Sequence, residues 1–511
     1  MLKPISAQQI EQTRESILAA ISGPSMTHEQ KINGLAHMAG SLMNVLDLPP
    51  GLADYMEKGI ICDLNEGPAP FRPRYILPDY DRLFEKGCQF LRLDPPQDLE
   101  EALTALLILY RHVPSITNYP VFIGHLDRLL EPFVQKAGRE EARKRLRLFL
   151  IQLDRTITDS FCHANIGPQA TLTGEIILEL ERELVNAVPN MTILYDPART
   201  PDPFALEAVR TQLAVAKPSF ANHPMYRADL GEHYGIASCY NALPTGGGAF
   251  TLVRVRLGRL AKTAKDSAHF MADILPACLE TMAAYMDARV RFLVEESGFF
   301  EYNFLVKEGF ISRDRFSAMF GMVGLAECVN TLMEADGQAG RYGHSEAADA
   351  LGVKIVQAMS DFCAGHENKH CAGHGGRFML HGQVGIDTDS GETPNVRIPI
   401  GEEPKELSDH IAHCAKFQRY FPSGVGEIFL VESTALQNPE AILDLIKGAF
   451  RQDVRYLSFH SSACDVIRVT GYLVKRSEME KLRGGESVLQ NTTLFGLGAA
   501  NNSKILERSR R

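Results

Sequence analysis

Close to its end the chain reads Ile467-Arg468-Val469-Thr470-Gly471-Tyr472, and this run constrains the fold more than any other. An unpaired electron on the Gly471 α-carbon would be stabilised from both sides, the amide nitrogen donating and the carbonyl withdrawing. Any side chain would crowd that planar centre, which glycine leaves free. Such a centre has to be enclosed, because solvent-borne reductants and oxygen quench radicals. The ordinary alternative is a strand-edge glycine, although a run of this kind arises by chance in roughly one chain per few thousand. A second segment, Tyr234-Gly235-Ile236-Ala237-Ser238-Cys239-Tyr240-Asn241, places a cysteine on a loop. Gly246-Gly247-Gly248 and Phe250 to Leu257 follow it, and Val253-Arg254-Val255-Arg256-Leu257 alternates like a half-buried strand. A cysteine so placed can project into a closed pocket; its ordinary alternative is a small buried hydrophobe.

The Arg-Val-Thr-Gly-Tyr run resembles the signature of glycyl radical enzymes. Over most of the chain the resemblance is to the small YjjI-type enzymes. It is carried by Arg74 to Asp81, Ser160 to Pro168, Gly235 to Gly248, Cys371 to Gly382 and the Gly471 region. Gly246 to Leu252 and Phe316 to Leu332 are similar, less specifically, to anaerobic ribonucleotide reductases, and pyruvate formate-lyase is a more distant likeness. The resemblance implies an α/β fold, a ten-stranded barrel of two five-stranded halves surrounded by helices. A cysteine finger loop and a glycine finger loop would meet inside it.

The resemblance also implies a mechanism. A separate radical S-adenosylmethionine activase with its own iron–sulfur cluster installs the radical on Gly471, so no cofactor is bound permanently. That step requires the C-terminal segment to swing out. Gly471 then takes hydrogen from the Cys239 thiol. The thiyl radical abstracts hydrogen from a small polar substrate, which eliminates, undergoes C–C cleavage or rearranges, a lyase or related reaction. The implied setting is anaerobic and cytoplasmic, and a homodimer is expected from the resemblance alone.

Departures from better-known relatives narrow the chemistry. Where pyruvate formate-lyase has two adjacent cysteines this chain has Ser238-Cys239, so the acyl-accepting thiol is missing. Diol dehydratases and arylacetate decarboxylases follow the cysteine with Val-Glu, whereas here Tyr240-Asn241-Ala242 supplies no carboxylate. Of the four-cysteine zinc site that anaerobic ribonucleotide reductases carry before the glycine, only Cys464 has a counterpart.

A dense cluster runs from Cys363 to His374, with Cys-x-x-His twice, at Cys363/His366 and Cys371/His374. Three readings stand. The four side chains could bind zinc; the loop from Cys371 to His381 could line the substrate pocket with His374, Arg377 and His381; or the loop simply packs. No common zinc module has this spacing, so no metal is assigned. His460, Ser461 and Asp465 are weaker candidates for the same pocket. A non-catalytic ligand-binding or metal-assembled relative of the barrel is the alternative to an enzyme.

Composition agrees with a large cytoplasmic enzyme. A net charge of −10 argues against phosphate-backbone binding, no run of eighteen apolar residues suggests a membrane span, and Met1 to Ile5 lacks a signal-peptide core. The ten cysteines form no regular disulfide framework. Arg139 to Arg147 reads as a mixed-charge helix face. Residues 1–95 are expected to be a mainly helical segment packed on the barrel, 96–455 the barrel core with the cysteine loop, and 456–511 the glycyl radical segment. Helix breaks fall near Gly23-Pro24 and Pro49-Pro50-Gly51, and Gly67 to Pro78, with four prolines, reads as an extended crossing segment. Asp98 with Glu101 forms a capping box, and Asn438-Pro439-Glu440 starts a helix running to about Phe450, followed by a strand from Val454 to Phe459.

Overall fold

Parallel strands covered on both faces call for nearly continuous apolar runs. In the computed structural model of the chain, Asn190–Tyr195 and Phe316–Val323 are buried at every position. Residues 5–42, 44–386, 388–431, 434, 437–460, 464–502 and 505 are described. Among them two five-stranded sheets form, with helices outside. In the first sheet Gly247–Arg256 runs parallel to Phe316–Val323, which pairs in parallel with Met379–Gly382. Ile61–Cys62 and Tyr75–Leu77 pair antiparallel with Gly247–Arg256, so the N-terminal stretch adds two strands to its helices. In the second sheet Glu427–Leu430 is parallel to Tyr456–His460, which is antiparallel to Ser219–Asn222. Asn190–Tyr195 and His163–Ile166 then extend it in parallel. The pair of five-stranded halves expected from the resemblance is present.

Two antiparallel hairpins stand apart from these sheets, Tyr234–Ala237 with Asn241–Pro244 and Val466–Val469 with Tyr472–Lys475. Chain order sets their origins. The first links Ser219–Asn222 of one sheet to Gly247–Arg256 of the other, and the second follows Tyr456–His460. Gly248 is needed at the start of the long strand: its φ is +151°, and a Cβ there would lie 2.0 Å from Tyr75 O.

The alternation in Val253 to Leu257 has a different cause from the one expected. All ten positions of Gly247–Arg256 are buried, so the arginines do not face water. Arg254 donates to both oxygens of Asp389, at 2.8 and 2.5 Å, and to Val384 O at 3.3 Å; Arg256 pairs with Glu392. Buried guanidinium groups on that face therefore tie down the 384–392 loop.

Helix starts follow local chemistry. Ala441 N–H donates to the Asn438 side chain at 3.2 Å and the helix runs Pro439–Arg451. Asp98 accepts from Glu101 N–H at 3.0 Å, but the Glu101 carboxylate returns to Gln97 N–H at 2.8 Å, one residue earlier than a capping box requires. Along Arg139–Thr156, Arg139 pairs with Glu175 and Glu179 and Arg143 with Glu183. Among the described residues no helix is long and apolar enough to cross a membrane.

One large hydrophobic core runs through both sheets and their helices. The hairpin containing Gly471 belongs to a separate cluster, in which Ile467, Val469 and Tyr472 pack with Met479, Ala499 and Ala500 of the following helices. The chain end therefore carries a small core of its own.

Removing Arg254 strands a buried carboxylate. Arg254→Leu is expected to cost about 3–5 kcal/mol in urea unfolding, and the double variant Arg254→Leu/Asp389→Leu to recover most of that loss.

Candidate active site

Pairing of Ala237 with Asn241 leaves Ser238, Cys239 and Tyr240 as the tip of the first hairpin. Ser238 adopts φ +57°, a conformation that a residue with a Cβ holds only when its surroundings enforce it. Here they do. Ser238 N–H donates to Val121 O at 2.9 Å, and Ser238 O lies 2.8 Å from His163 Nδ1 and 3.2 Å from Asn190 Nδ2. Burial pulls the His163 pKa down to about 3, so the ring is neutral; Nδ1–H donates to Ser238 O and Nε2 faces Thr192 Oγ1 at 2.8 Å. Tyr456 OH reaches Cys239 O at 3.2 Å. Cys239 is 4 % exposed, and burial pushes its thiol up to about 12. At neutral pH the group is therefore S–H rather than a nucleophilic thiolate.

In the second hairpin Val469 pairs with Tyr472, and Thr470-Gly471 forms the tip. Thr470 has φ +58°, and Gly471 N–H donates back to Val469 O at 2.7 Å across it. Such a tight turn at a β-branched residue is strained. The tip carbonyls are held from outside the hairpin and from within it. Arg397 donates to Thr470 O at 3.0 Å, while Gly471 O accepts from Arg468 at 3.1 Å and from Asn190 Nδ2 at 3.2 Å. Arg468 also donates to Asn190 Oδ1, Ala216 O and Ser458 Oγ, and burial lowers its pKa. Asn190 thus grips one carbonyl from each hairpin.

The tips meet. A Cβ on Gly471 would lie 2.5 Å from Cys239 Cβ, 2.5 Å from Val384 Cγ1 and 3.1 Å from Cys239 Sγ. Only hydrogen fits there, and the α-hydrogen in that direction faces the Cys239 side chain and Val384. Residues far apart in sequence are thereby brought into contact.

Cys239 and Tyr472 also line a cavity of about 470 Å³. Its polar wall includes Arg72, Asn118, Asp159, Asn241 and Gln383. Burial raises the Asp159 carboxyl to about 7, against its bonds from Phe161 N–H and Thr117. The Asn241 carbonyl oxygen has no hydrogen-bond partner among the described residues. Arg72 makes no hydrogen bond or ion pair among them either; its guanidinium lies 4.8 Å from the Phe71 ring centre. Arg74 and Arg289, by contrast, are paired with Glu66 at 3.1 and 2.8 Å.

The other residues singled out from sequence lie elsewhere. His374 sits half-buried in a short turn, and Arg377 braces its own loop by donating to Ala364 O and Glu367, both at 2.8 Å. His381 is buried behind the cysteine tip, its ring 5.9 Å from that of Tyr240 and its pKa pulled down to about 3 by burial. None of the three lines the cavity around Cys239. Cys363, His366, Cys371 and His374 do not converge among the described residues: His366 pairs with Asp287 at 3.0 Å, and the two thiols are buried apart from it. Asp465 caps the helix Arg476–Arg483 through Ser477, and Ser461 and the side chain of His460 lie outside the described residues. Asp159, His163, Asn190 and Arg72 went unnoticed in the sequence. For the first two, the only sign was their position beside or within the Ser160 to Pro168 segment.

The fold is that of glycyl radical enzymes. The anaerobic ribonucleotide reductase from Thermotoga maritima aligns with a TM-score of 0.67 at 14 % identity, over 93 % of this chain and 90 % of that one. Within that class the chain belongs to the family described as glycyl radical enzyme YjjI-like, which matches residues 26–511. An uncharacterized protein of Haemophilus influenzae is 45 % identical over 97 % of both chains. The uncharacterized protein YjjI of Escherichia coli is 42 % identical over 96 % of this chain and 95 % of its own.

Two outcomes are expected. Gly471→Ala forces its methyl group into Cys239 and Val384, and should lower stability by about 1–3 kcal/mol in urea titration. For Asp159, a folded pKa of about 7 lies above the ordinary carboxyl value, so the stabilisation from its proton is complete at pH 4 and lost as pH rises through 7. The neutral variant Asp159→Asn should therefore gain stability relative to wild type across that window, with a slope of at most about 1.4 kcal/mol per pH unit. Urea titrations of both proteins at pH 4.5, 6 and 7.5 read this difference.

Proposed function

We propose that the protein is an oxygen-sensitive, cytoplasmic radical enzyme in which Gly471 stores the radical and Cys239 delivers it. The observation that carries this reading is the contact of the two tips, with the Cys239 sulfur 3.1 Å from where a Cβ on Gly471 would sit. A separate S-adenosylmethionine-dependent iron–sulfur activase removes one hydrogen atom from Gly471. The glycyl radical takes the hydrogen of the Cys239 S–H, regenerating the C–H bond and leaving a thiyl radical. The thiyl radical takes a hydrogen atom from substrate carbon, and after elimination, cleavage or rearrangement the product radical recovers it from Cys239. Each transfer moves one hydrogen atom, and the count of unpaired electrons stays at one.

The surroundings support that cycle. A neutral thiol is what hydrogen-atom transfer requires, and burial of Cys239 keeps it neutral. Two donors on Gly471 O draw electron density toward the carbonyl, the withdrawing half of the radical's stabilisation. Residues 456–511 act as the movable segment, a role favoured by the separate core around Ile467 and Tyr472. The substrate is a small polar molecule in the cavity beside Cys239. Arg72, whose guanidinium makes no hydrogen bond or ion pair among the described residues, would hold an anionic group of that substrate, and Asp159, with its pKa near 7, would donate or accept a proton. Ser238 supplies no acyl-accepting thiol, which sets the reaction apart from that of pyruvate formate-lyase.

Anaerobic incubation with the cognate activase should yield a carbon-centred doublet in electron paramagnetic resonance. Air should then cut the chain at Gly471, releasing a C-terminal fragment of about 4.5 kDa. Cys239→Ala should keep the doublet and lose all turnover of any substrate the wild type converts. No doublet from a demonstrably active cognate activase would make the protein a ligand-binding relative, and normal turnover by Cys239→Ala would remove the relay role from that cysteine.

A further inference from the structure

Away from the cavity, the helix Leu407–Gln418 carries His410 and Cys414 four residues apart, on one face, toward the strand Glu427–Leu430. Glu427 completes a group in which all three side chains are at most 5 % exposed. Its Oε2 lies 3.6 Å from Cys414 Sγ and 3.4 Å from His410 Nε2, and all three potential ligand atoms fall within 4.8 Å of one another. A tetrahedral zinc ion with nitrogen and oxygen ligands at about 2.0 Å and sulfur at about 2.3 Å separates N from O by roughly 3.3 Å and S from O by roughly 3.5 Å. The observed edges match both. No other trio of histidine, cysteine and acidic side chains among the described residues converges in this way.

Two further features point to a ligand. His410 Nε2 is buried and has no hydrogen-bond partner among the described residues, although it faces the carboxylate. A buried ring nitrogen left without a hydrogen bond is unfavourable unless something binds it. Glu427 is also oriented as a monodentate ligand would be. Its Oε1 accepts from Ile428 N–H at 2.8 Å and lies 3.5 Å from Arg397 Nε, leaving Oε2 directed at the other two side chains. A carboxylate whose second oxygen is held by outer partners is typical of metal sites.

We propose that His410 Nε2, Cys414 Sγ and Glu427 Oε2 bind a divalent transition metal ion, zinc by preference, in the protein interior. Imidazole and thiolate together select a borderline cation over calcium or magnesium, which take oxygen ligands. On binding, the Cys414 thiol proton leaves to solvent and the two anionic ligands balance the ion's charge. Arg397 links the site to the Gly471 hairpin: it contacts Glu427 and donates to Thr470 O. A bound ion would fix Glu427 and so the arginine that braces the tip. The metal site stands whether or not Gly471 carries a radical.

The test uses full-length, tag-free protein produced with zinc in the medium and needs no activase or substrate. Elemental analysis should find about one zinc per chain, and Cys414→Ala should lower it at least tenfold. Replacement by cobalt(II) should give a thiolate-to-metal charge-transfer band in the near ultraviolet and the intense visible bands of tetrahedral coordination. Cys363→Ala and Cys371→Ala should leave metal content and spectrum unchanged. If Cys414→Ala does not fold, the wild-type cobalt spectrum and those two controls decide alone. Less than one tenth of an equivalent of metal after incubation with zinc, no charge-transfer band, or loss of metal in the Cys363 or Cys371 variants would overturn the proposal.

Discussion

Contact between the two hairpin tips is the constraint on which the rest of the site depends. At Gly471 no atom larger than hydrogen fits between the backbone, Cys239 and Val384. That closeness cannot come from the tips themselves, because each is a strained turn with a non-glycine residue at positive φ, Ser238 in one and Thr470 in the other. It is imposed by groups between and behind them. Asn190, on a central strand of the second sheet, donates to Ser238 O and Gly471 O, and its own oxygen is held by Arg468. Arg397 fixes Thr470 O, and Arg254 holds Val384 O on the far side of the glycine. Buried carbonyl groups need donors, and here their satisfaction is what positions the hairpins.

The same burial sets the chemistry available. A thiol in this environment stays protonated, a carboxyl is pushed toward neutrality, and His163 and His381 stay uncharged. Charge is tolerated where it is paired, as at Arg254 with Asp389 and Arg74 with Glu66. The low polarity that makes a thiolate expensive at Cys239 supports the proposed transfer of a hydrogen atom. Arg72 and Asp159, at the cavity wall, are where polarity is kept.

How much could be read in advance follows from the range of each interaction. The helix starts at Asp98 and Asn438 depend on atoms within three residues, and they fall where the sequence places them. The strand after Gly246-Gly247-Gly248 was also legible, but its alternation misled: Arg254 and Arg256 face buried acids more than a hundred residues away, not solvent. The Cys363 to His374 cluster looked dense because its members are close in sequence, yet a helix end and a turn direct them apart. His410, Cys414 and Glu427 attract no notice as a string, since the carboxylate lies on the neighbouring strand.

The sequence by itself singled out Gly471 and Cys239 as the pair to look for, because each sits in a short, distinctive run, and the structure brings those two runs together. It also determined the alternation of helices and strands, which rests on local caps and apolar runs. Only the tertiary structure decided which polar groups share a space with the thiol, which carbonyls are gripped and which side chains converge away from the site. Those depend on packing between segments hundreds of residues apart, where burial alone shifts a pKa and a single carboxylate oxygen can complete a ligand set.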